Sequence, residues 1–325
     1  MHIDRPMIHP ELRKTGTLIR IVLPSFTEQK FRIAKTMIKV MKGKCRNRLK
    51  YEQKYITRAD GSPLRVCVYS PLSPVTGVPG VLWLHGGGYA LGTPEQDEVF
   101  IKRFVEAGNC VVVSPDYRLS VEAPYPAALE DCYAALLWLK GHSGEYGLRD
   151  DQIMVGGDSA GGGLTAAITL YARDKNEVAI AFQMPLYPML DDRMNTPSAM
   201  NNDAPLWNSK SNDIGWRLYL GNLFGKADVP AYAAPARAED LRNLPPACSF
   251  VGSIEPFRDE TIAYLERLCA SGTPVHYKVF EGCFHGFDIV CARSNVAKQA
   301  TDFLMENFRY AIEHYFAEQP SDSYK

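Results

Sequence analysis

The sequence predicts an α/β fold built on a mostly parallel eight-stranded sheet with helices on both faces, and three observations carry that reading. Short apolar runs rich in β-branched residues alternate with helical stretches from about residue 49 onward. Most of these runs lack the in-out alternation of a half-exposed strand, so both of their faces are covered. At 325 residues, 46% hydrophobic and 22% charged, the chain is long enough to bury such a core and falls outside the disordered, collagenous and spanning classes.

The elements follow in order. Tyr51 to Thr57 and Leu64 to Tyr69 flank Asp60-Gly61, a turn dipeptide, and read as a hairpin. VLWL (81–84) is the next strand, followed by a helix near 95–107 and the strand CVVVS (110–114). AALEDCYAALLWLK (127–140) spaces its apolar residues as a helix does, after a proline-rich entry that suits a helix start. QIMVGG (152–157) is a strand running into a tight glycine turn, with SAGGGLTAAITLYARD behind it as a helix. Val178 to Pro185, ACSFVG (247–252) and VHYKVF (275–280) complete the strands. FRDETIAYLERLCASG forms a helix capped by Gly272, and the last helix covers roughly 294–315.

Two segments break this rhythm, one preceding and one inside a domain read as 50–325. Residues 1–49 lead into a basic stretch from Lys30 to Lys54, with ten Lys/Arg against one acid. Phe31, Ala34, Met37, Ile38 and Met41 recur there at helical spacing. Contact with a membrane surface would use that pattern, but a solvated basic face on a helix packed against the main domain explains it more simply. The second segment, 189–235, is rich in Asn, Asp, Pro, Trp and Tyr and is too long for an ordinary crossover loop. Together the two read as a helical cap over the carboxyl ends of the strands, where open α/β sheets place their ligands.

With 36 Lys/Arg against 37 Asp/Glu, the formal charge of −1 gives no global field for a polyanion, so nucleic acid is not an expected partner. No apolar stretch approaches the length of a spanning helix and the first residues lack a secretory pattern, so no stable membrane insertion is expected. The eight cysteines are scattered, without a CxxC pair, which fits buried thiols in a reducing, cytoplasmic setting and neither a disulfide framework nor a metal site.

Gly157-Asp158-Ser159-Ala160-Gly161 matches GxSxG where an apolar strand turns into an alanine-rich helix. That setting exposes a serine hydroxyl above a sheet, so Ser159 is the candidate nucleophile. His85-Gly86-Gly87-Gly88 directly follows the strand VLWL, and consecutive glycines let a loop turn its N–H groups toward a developing oxyanion. The GK[ST] ending of a phosphate loop is absent. His85 is expected to fix this loop by hydrogen bonding. Among seven histidines, His285 sits in a glycine- and aromatic-lined loop after the last strand and is the candidate base. The third member belongs after the preceding strand, where Glu255 lies in the loop directly past Gly252 and Asp259 lies about a turn into the helix. Glu255 is the expected triad acid, with Asp259 the alternative or a support for the loop.

HGGGYALG (85–92), DYRLSVEAPYPAALED (116–131), GDSAGGGL (157–164), the EPFRDE segment and HGF (285–287) together resemble the hormone-sensitive-lipase-like family of α/β-hydrolase carboxylesterases, over about residues 50–310. The resemblance implies the α/β-hydrolase fold, Ser159 as nucleophile, His285 as base, and an oxyanion hole from the N–H groups of Gly87, Gly88 and Ala160. It implies that Asp116, Tyr117, Arg118 and Glu122 brace the loops around the site, with Asp158 in support. The family usually opens its acid motif with Asp-Pro, whereas this chain has Glu255-Pro256. The implied reaction is hydrolysis of short- to medium-chain carboxylic esters through an acyl-enzyme, with no metal or other cofactor, a small ester as partner, and the homodimer such hydrolases often form. Amide or N-formyl cleavage by the same triad is the alternative activity. A long-chain lipase lacks its sequence signs, and receptors of this fold have lost the histidine that His285 supplies. Trp207, Trp216 and Tyr219 are expected either to line an apolar pocket or to hold the cap down.

Overall fold

The computed structural model describes residues 1–45 and 47–320. Eight strands form one sheet: β1 (Lys50–Thr57), β2 (Pro63–Ser70), β3 (Val78–Leu84), β4 (Val111–Pro115), β5 (Leu148–Asp158), β6 (Phe182–Leu186), β7 (Ala247–Gly252) and β8 (Val275–Phe280). Their order is β1-β2-β4-β3-β5-β6-β7-β8. β1 and β2 form the expected hairpin, in register from Thr57↔Pro63 to Lys50↔Ser70, and β2 joins β4 antiparallel. Every other pairing is parallel.

The helices are α1 (Arg13–Val22), α2 (Glu28–Ile38), α3 (Glu98–Gly108), α4 (Ala127–Gly141), α5 (Ala160–Lys175), α6 (Ser209–Leu220), α7 (Arg258–Ala270), α8 (Phe287–Val290) and α9 (Asn295–His314). Successive strand residues point to opposite faces, and the two cores follow that period. Leu82 and Leu84 pack with residues of α4 and α5, while Val81 and Trp83 pack with residues of α3 and α9. Such double coverage explains why β3 to β7 read as unbroken apolar runs. α7 shares a third cluster with the far side of α5, through Leu265 and Leu268 against Ala166 and Leu170.

Three strands depart from the sequence reading at their starts: β3 begins at Val78 and β5 at Leu148, three and four residues earlier than read, and β6 begins later. β6 begins at Phe182, four residues after Val178, because its pairing with β5 starts at Met154↔Phe182. Val178 and Ile180 are apolar because they pack beneath the α4–α5 layer, outside any ladder.

The helical cap is assembled from both irregular segments. Gly16 of α1 lies so close to Phe284 and Pro205 that an added Cβ would stand 3.1 and 3.2 Å from them. Arg20 donates to the Asp203 carboxylate at 2.8 Å, Asn208 Nδ2 to the Pro24 carbonyl at 2.6 Å, and the Phe26 N–H to Ser211 Oγ at 2.9 Å. A buried ion pair ties the next stretch to the sheet: Glu95 accepts from Arg65 Nη1 and from the Gly43 N–H, each at 2.6 Å. Burial pushes the Glu95 carboxyl up, but hydrogen bonds from Arg65, Thr93 and Gly43 outweigh it and hold the group at about 2.

Candidate active site

The carboxyl ends of β3, β5, β7 and β8 carry the loops that matter. β5 ends at Asp158 and α5 begins at Ala160, so Ser159 alone makes the turn, with φ 56° and ψ −117°. A non-glycine residue there is strained by about 1–3 kcal/mol, which the surrounding hydrogen bonds hold in place. The Ser159 N–H donates to the Leu186 carbonyl at 3.0 Å, and its carbonyl accepts from Gly163 at 2.9 Å and Met189 at 3.0 Å. Gly161 is required by close approach, since a Cβ there would stand 1.9 Å from the Leu84 carbonyl oxygen.

The turn aims the hydroxyl at a histidine 126 positions away. Ser159 Oγ is 2.7 Å from His285 Nε2, and His285 Nδ1 is 2.5 Å from Glu255 Oε2. The second carboxylate oxygen of Glu255 accepts the Gly252 N–H at 2.7 Å. Ser159 and His285 are each 5% exposed, and Glu255 is fully buried. Phe257 and Tyr187 stand edge-on to the imidazole, both at 5.0 Å between centroids, and confine it to the plane this line requires.

Asp259 points elsewhere. Its carboxylate accepts from the Ser198 N–H and from Arg258 Nε, each at 2.7 Å, so it ties α7 to the cap. Glu122 pairs with Lys35 on the surface and joins α2 to the loop after β4, away from the cavity. Asp116 pairs with Arg65 at 3.1 Å and with Lys42 at 2.6 Å, and Arg118 pairs with Asp131 at 2.9 Å.

The glycine loop after β3 faces Ser159 across the cavity. Gly88 has φ +58°, and a Cβ there would come within 2.3 Å of Trp207 Cη2, so this backbone lies directly beneath an indole. Ala160 is the first residue of α5, where a helix leaves its N–H groups without intrahelical acceptors. His85 is fully buried, and its Nδ1–H donates to the Gly86 carbonyl at 2.9 Å. Its ring stacks on Tyr117 at 4.1 Å, and the Tyr117 hydroxyl donates to the His85 carbonyl at 2.7 Å. Burial drops the imidazole to about 4, so at neutral pH it is an uncharged brace.

Beneath this loop lie three buried carboxyl groups. Asp158 is pushed well above the usual carboxylate range by burial and by the neighbouring Asp97 carboxylate. Burial raises Asp97 to about 6 despite the Trp83 indole N–H, which donates to it at 2.9 Å. Burial and Asp158 raise Asp288 to about 7, and the Tyr187 hydroxyl donates to it at 3.2 Å. Asp97 and Asp288 escaped the sequence reading; the HGFD run was the available signal for the second.

The cavity over Ser159 has a volume of about 170 Å³ and is lined by Phe26, Leu91, Leu206, Trp207, Ile289 and Val290 besides the polar groups above. Of the three cap aromatics, only Trp207 lines it. Trp216 and Tyr219 are buried against Tyr89, with Tyr89 and Tyr219 stacked at 3.7 Å, and hold the cap down. Phe26 carried no sequence signal, because it reaches the cavity only through tertiary docking of the turn between α1 and α2.

Known proteins resemble this chain in sequence and in fold. Residues 81–289 match the profile of a family described as alpha/beta hydrolase fold. The chain is similar to the esterase LipI of Mycobacterium tuberculosis, 40% identical over 210 residues that span 64% of this chain and 65% of the relative. It is similar to the carboxylesterase NlhH of the same organism, 33% identical over 74% of this chain and 76% of that one. Among solved structures, a bacterial heroin esterase superposes with a TM-score of 0.86 at 34% identity, covering 94% of this chain and 98% of the other. Among the described residues, no helix is long and apolar enough to cross a membrane.

Proposed function

The chain belongs to the alpha/beta hydrolase fold family and is a serine carboxylic ester hydrolase, and from that premise we propose that Ser159, His285 and Glu255 cleave short- to medium-chain esters through an acyl-enzyme. The observation that carries the assignment is the unbroken line from Ser159 Oγ through both imidazole nitrogens to Glu255.

In the first step, Ser159 Oγ bonds to the ester carbonyl carbon as its proton passes to His285 Nε2. The carbonyl oxygen takes the negative charge and rests on the N–H groups of Gly87, Gly88 and Ala160, the last at the positive end of α5. His285 then protonates the alcohol oxygen as the carbon–oxygen bond breaks. Water repeats the sequence on the acyl group, giving up a proton to His285, and Ser159 recovers it as the acid leaves. Glu255 keeps the Nδ1–H tautomer and stabilises the imidazolium in both halves. Glutamate does this in place of the commoner aspartate because one carboxylate oxygen is anchored on Gly252 while the other still reaches the ring.

The motifs HGGG, GDSAG and HGF support placement in the hormone-sensitive-lipase-like branch. Cavity size supports the acyl range, since about 170 Å³ is small beside the ~300–1,000 Å³ of drug-sized sites. All eight cysteines are free thiols, which fits a reducing, cytoplasmic setting. The edge strand β8, with Tyr277 and Val279 exposed, is the surface a homodimer would pair. A series of p-nitrophenyl esters tests the substrate class. kcat/KM should peak at acyl chains of roughly two to eight carbons, each buried CH₂ group adding about 0.8 kcal/mol until the cavity is full, and fall beyond. A profile still rising at about sixteen carbons, outside the range this burial argument allows, would remove the closed-cavity reading.

A further inference from the structure

Phe26, in the turn between the N-terminal helices, lines the catalytic cavity, and the outer surface of those helices is left unexplained. Among the described residues, eight large apolar side chains are more than half exposed, and six of them fall between residues 18 and 40. Leu18, Ile21 and Val22 lie on α1, Ile33 and Met37 on α2, and Val40 just beyond it, at 52–74% exposure. Spacings of three and four put each trio on one helical face. The opposite faces already supply the packing, through Gly16 on Phe284 and through Phe31 stacked on Phe26 at 4.9 Å. The sequence reading turned the apolar stripe of α2 inward, whereas Met37 is 70% exposed, so α2 carries a second stripe that no part of the fold requires.

Charge accompanies this face. Residues 1–50 hold thirteen Lys/Arg against three Asp/Glu, and the rest of the chain holds 23 against 34. The three acids are engaged, Asp4 with His2, Glu11 with Asn295 and Glu28 with Arg32. Lys14, Lys39 and Lys44 are exposed and form no ion pair among the described residues. The turn between the two stripes also carries Phe26 into the catalytic cavity, whose rim includes the part-exposed Ile289 and Val290.

We propose that α1 and α2 dock the protein onto the surface of an anionic phospholipid bilayer, with the six aliphatic side chains in the headgroup region and the cavity mouth turned to the lipid. Aliphatic stripes flanked by lysines on helices too short to span are the pattern of an interfacial contact. A second copy of the chain is disfavoured, because a two-fold interface would oppose two strongly basic faces. A protein partner is disfavoured because the stripes lack the Trp, Tyr and Arg anchors that dominate such interfaces.

Co-sedimentation of the full chain with phosphatidylglycerol or phosphatidylcholine vesicles tests this, alongside Ile21→Asp, Met37→Asp and the double variant Lys14→Glu/Lys39→Glu. Hydrolysis of soluble p-nitrophenyl acetate, which involves none of these residues, reports that each variant is folded. The protein should bind the anionic vesicles and not the zwitterionic ones, and each variant, or ~0.5 M salt, should weaken binding about tenfold or more. Failure to bind phosphatidylglycerol at low salt would overturn the proposal, as would binding that neither variants nor salt weaken. A dimer in sedimentation equilibrium that Ile21→Asp and Met37→Asp dissociate would assign the face to a second copy. Because binding is read without turnover, the result stands apart from the catalytic assignment.

Discussion

Glu255 divides its carboxylate between two tasks: one oxygen lies 2.5 Å from His285 Nδ1 and the other accepts the Gly252 N–H at 2.7 Å. The residue that orients the base therefore also closes its own loop, and the extra methylene of glutamate is taken up within that loop. Glu255→Gln should lower kcat by up to about 10⁴-fold while the fold persists, because the amide presents the wrong group to Nδ1–H. Asp259→Asn should keep kcat within a few-fold and cost about 1 kcal/mol through weakened contacts to Ser198 and Arg258. Steady-state kinetics and thermal melts on both variants check this, and an inactive, folded Asp259→Asn beside an active Glu255→Gln would reverse the roles.

Gly88→Ala should be severe for two separable reasons. The backbone sits at φ +58°, and the new methyl would meet Trp207 at 2.3 Å. Displacing one oxyanion donor lowers kcat by about 10²–10³-fold. Adding Trp207→Ala removes the collision but not the backbone strain, so a double-mutant cycle should show favourable coupling in melting temperature. Strict additivity would mean that the indole does not restrain the loop.

The three buried carboxyls predict a pH dependence. Asp288, raised to about 7 by burial and Asp158, binds its proton more tightly in the folded chain than in the unfolded one, where aspartate titrates near 3.9. Its favourable contribution is complete below about pH 4 and is lost as pH rises through 7. Asp288→Asn, which stays neutral, should gain on the wild type across that window by on the order of 3 kcal/mol. His85, held near 4, acts in the opposite direction below pH 6.5, so the difference between variant and wild type is the informative quantity. Melting temperatures of both proteins at pH 5 to 8 measure it, and a difference independent of pH would contradict the assignment.

The strands were legible because a sheet covered on both faces needs continuous apolar runs, and the nucleophile and its loop were legible because a single-residue turn and a close backbone approach demand glycine at fixed offsets. His285 and Glu255 followed from chain order beyond β8 and β7. The contribution of Phe26 to the cavity was not legible, since it depends on where α1 and α2 dock. Nor were the neighbours of Asp158, because Asp97, just before α3, and Asp288, on α8, approach it from distant parts of the chain. The outward stripe of α2 was hidden by a pattern whose apolar residues span more than one face, so periodicity alone could not say which face packs.

Covalent labelling with a fluorophosphonate, mapped by mass spectrometry, tests the central claim most directly. The reagent should form a single adduct on Ser159 Oγ, abolish ester hydrolysis in proportion, and leave Ser159→Ala unlabelled and without burst kinetics. An adduct on another residue, or ester turnover that survives Ser159→Ala at the wild-type rate, would contradict it.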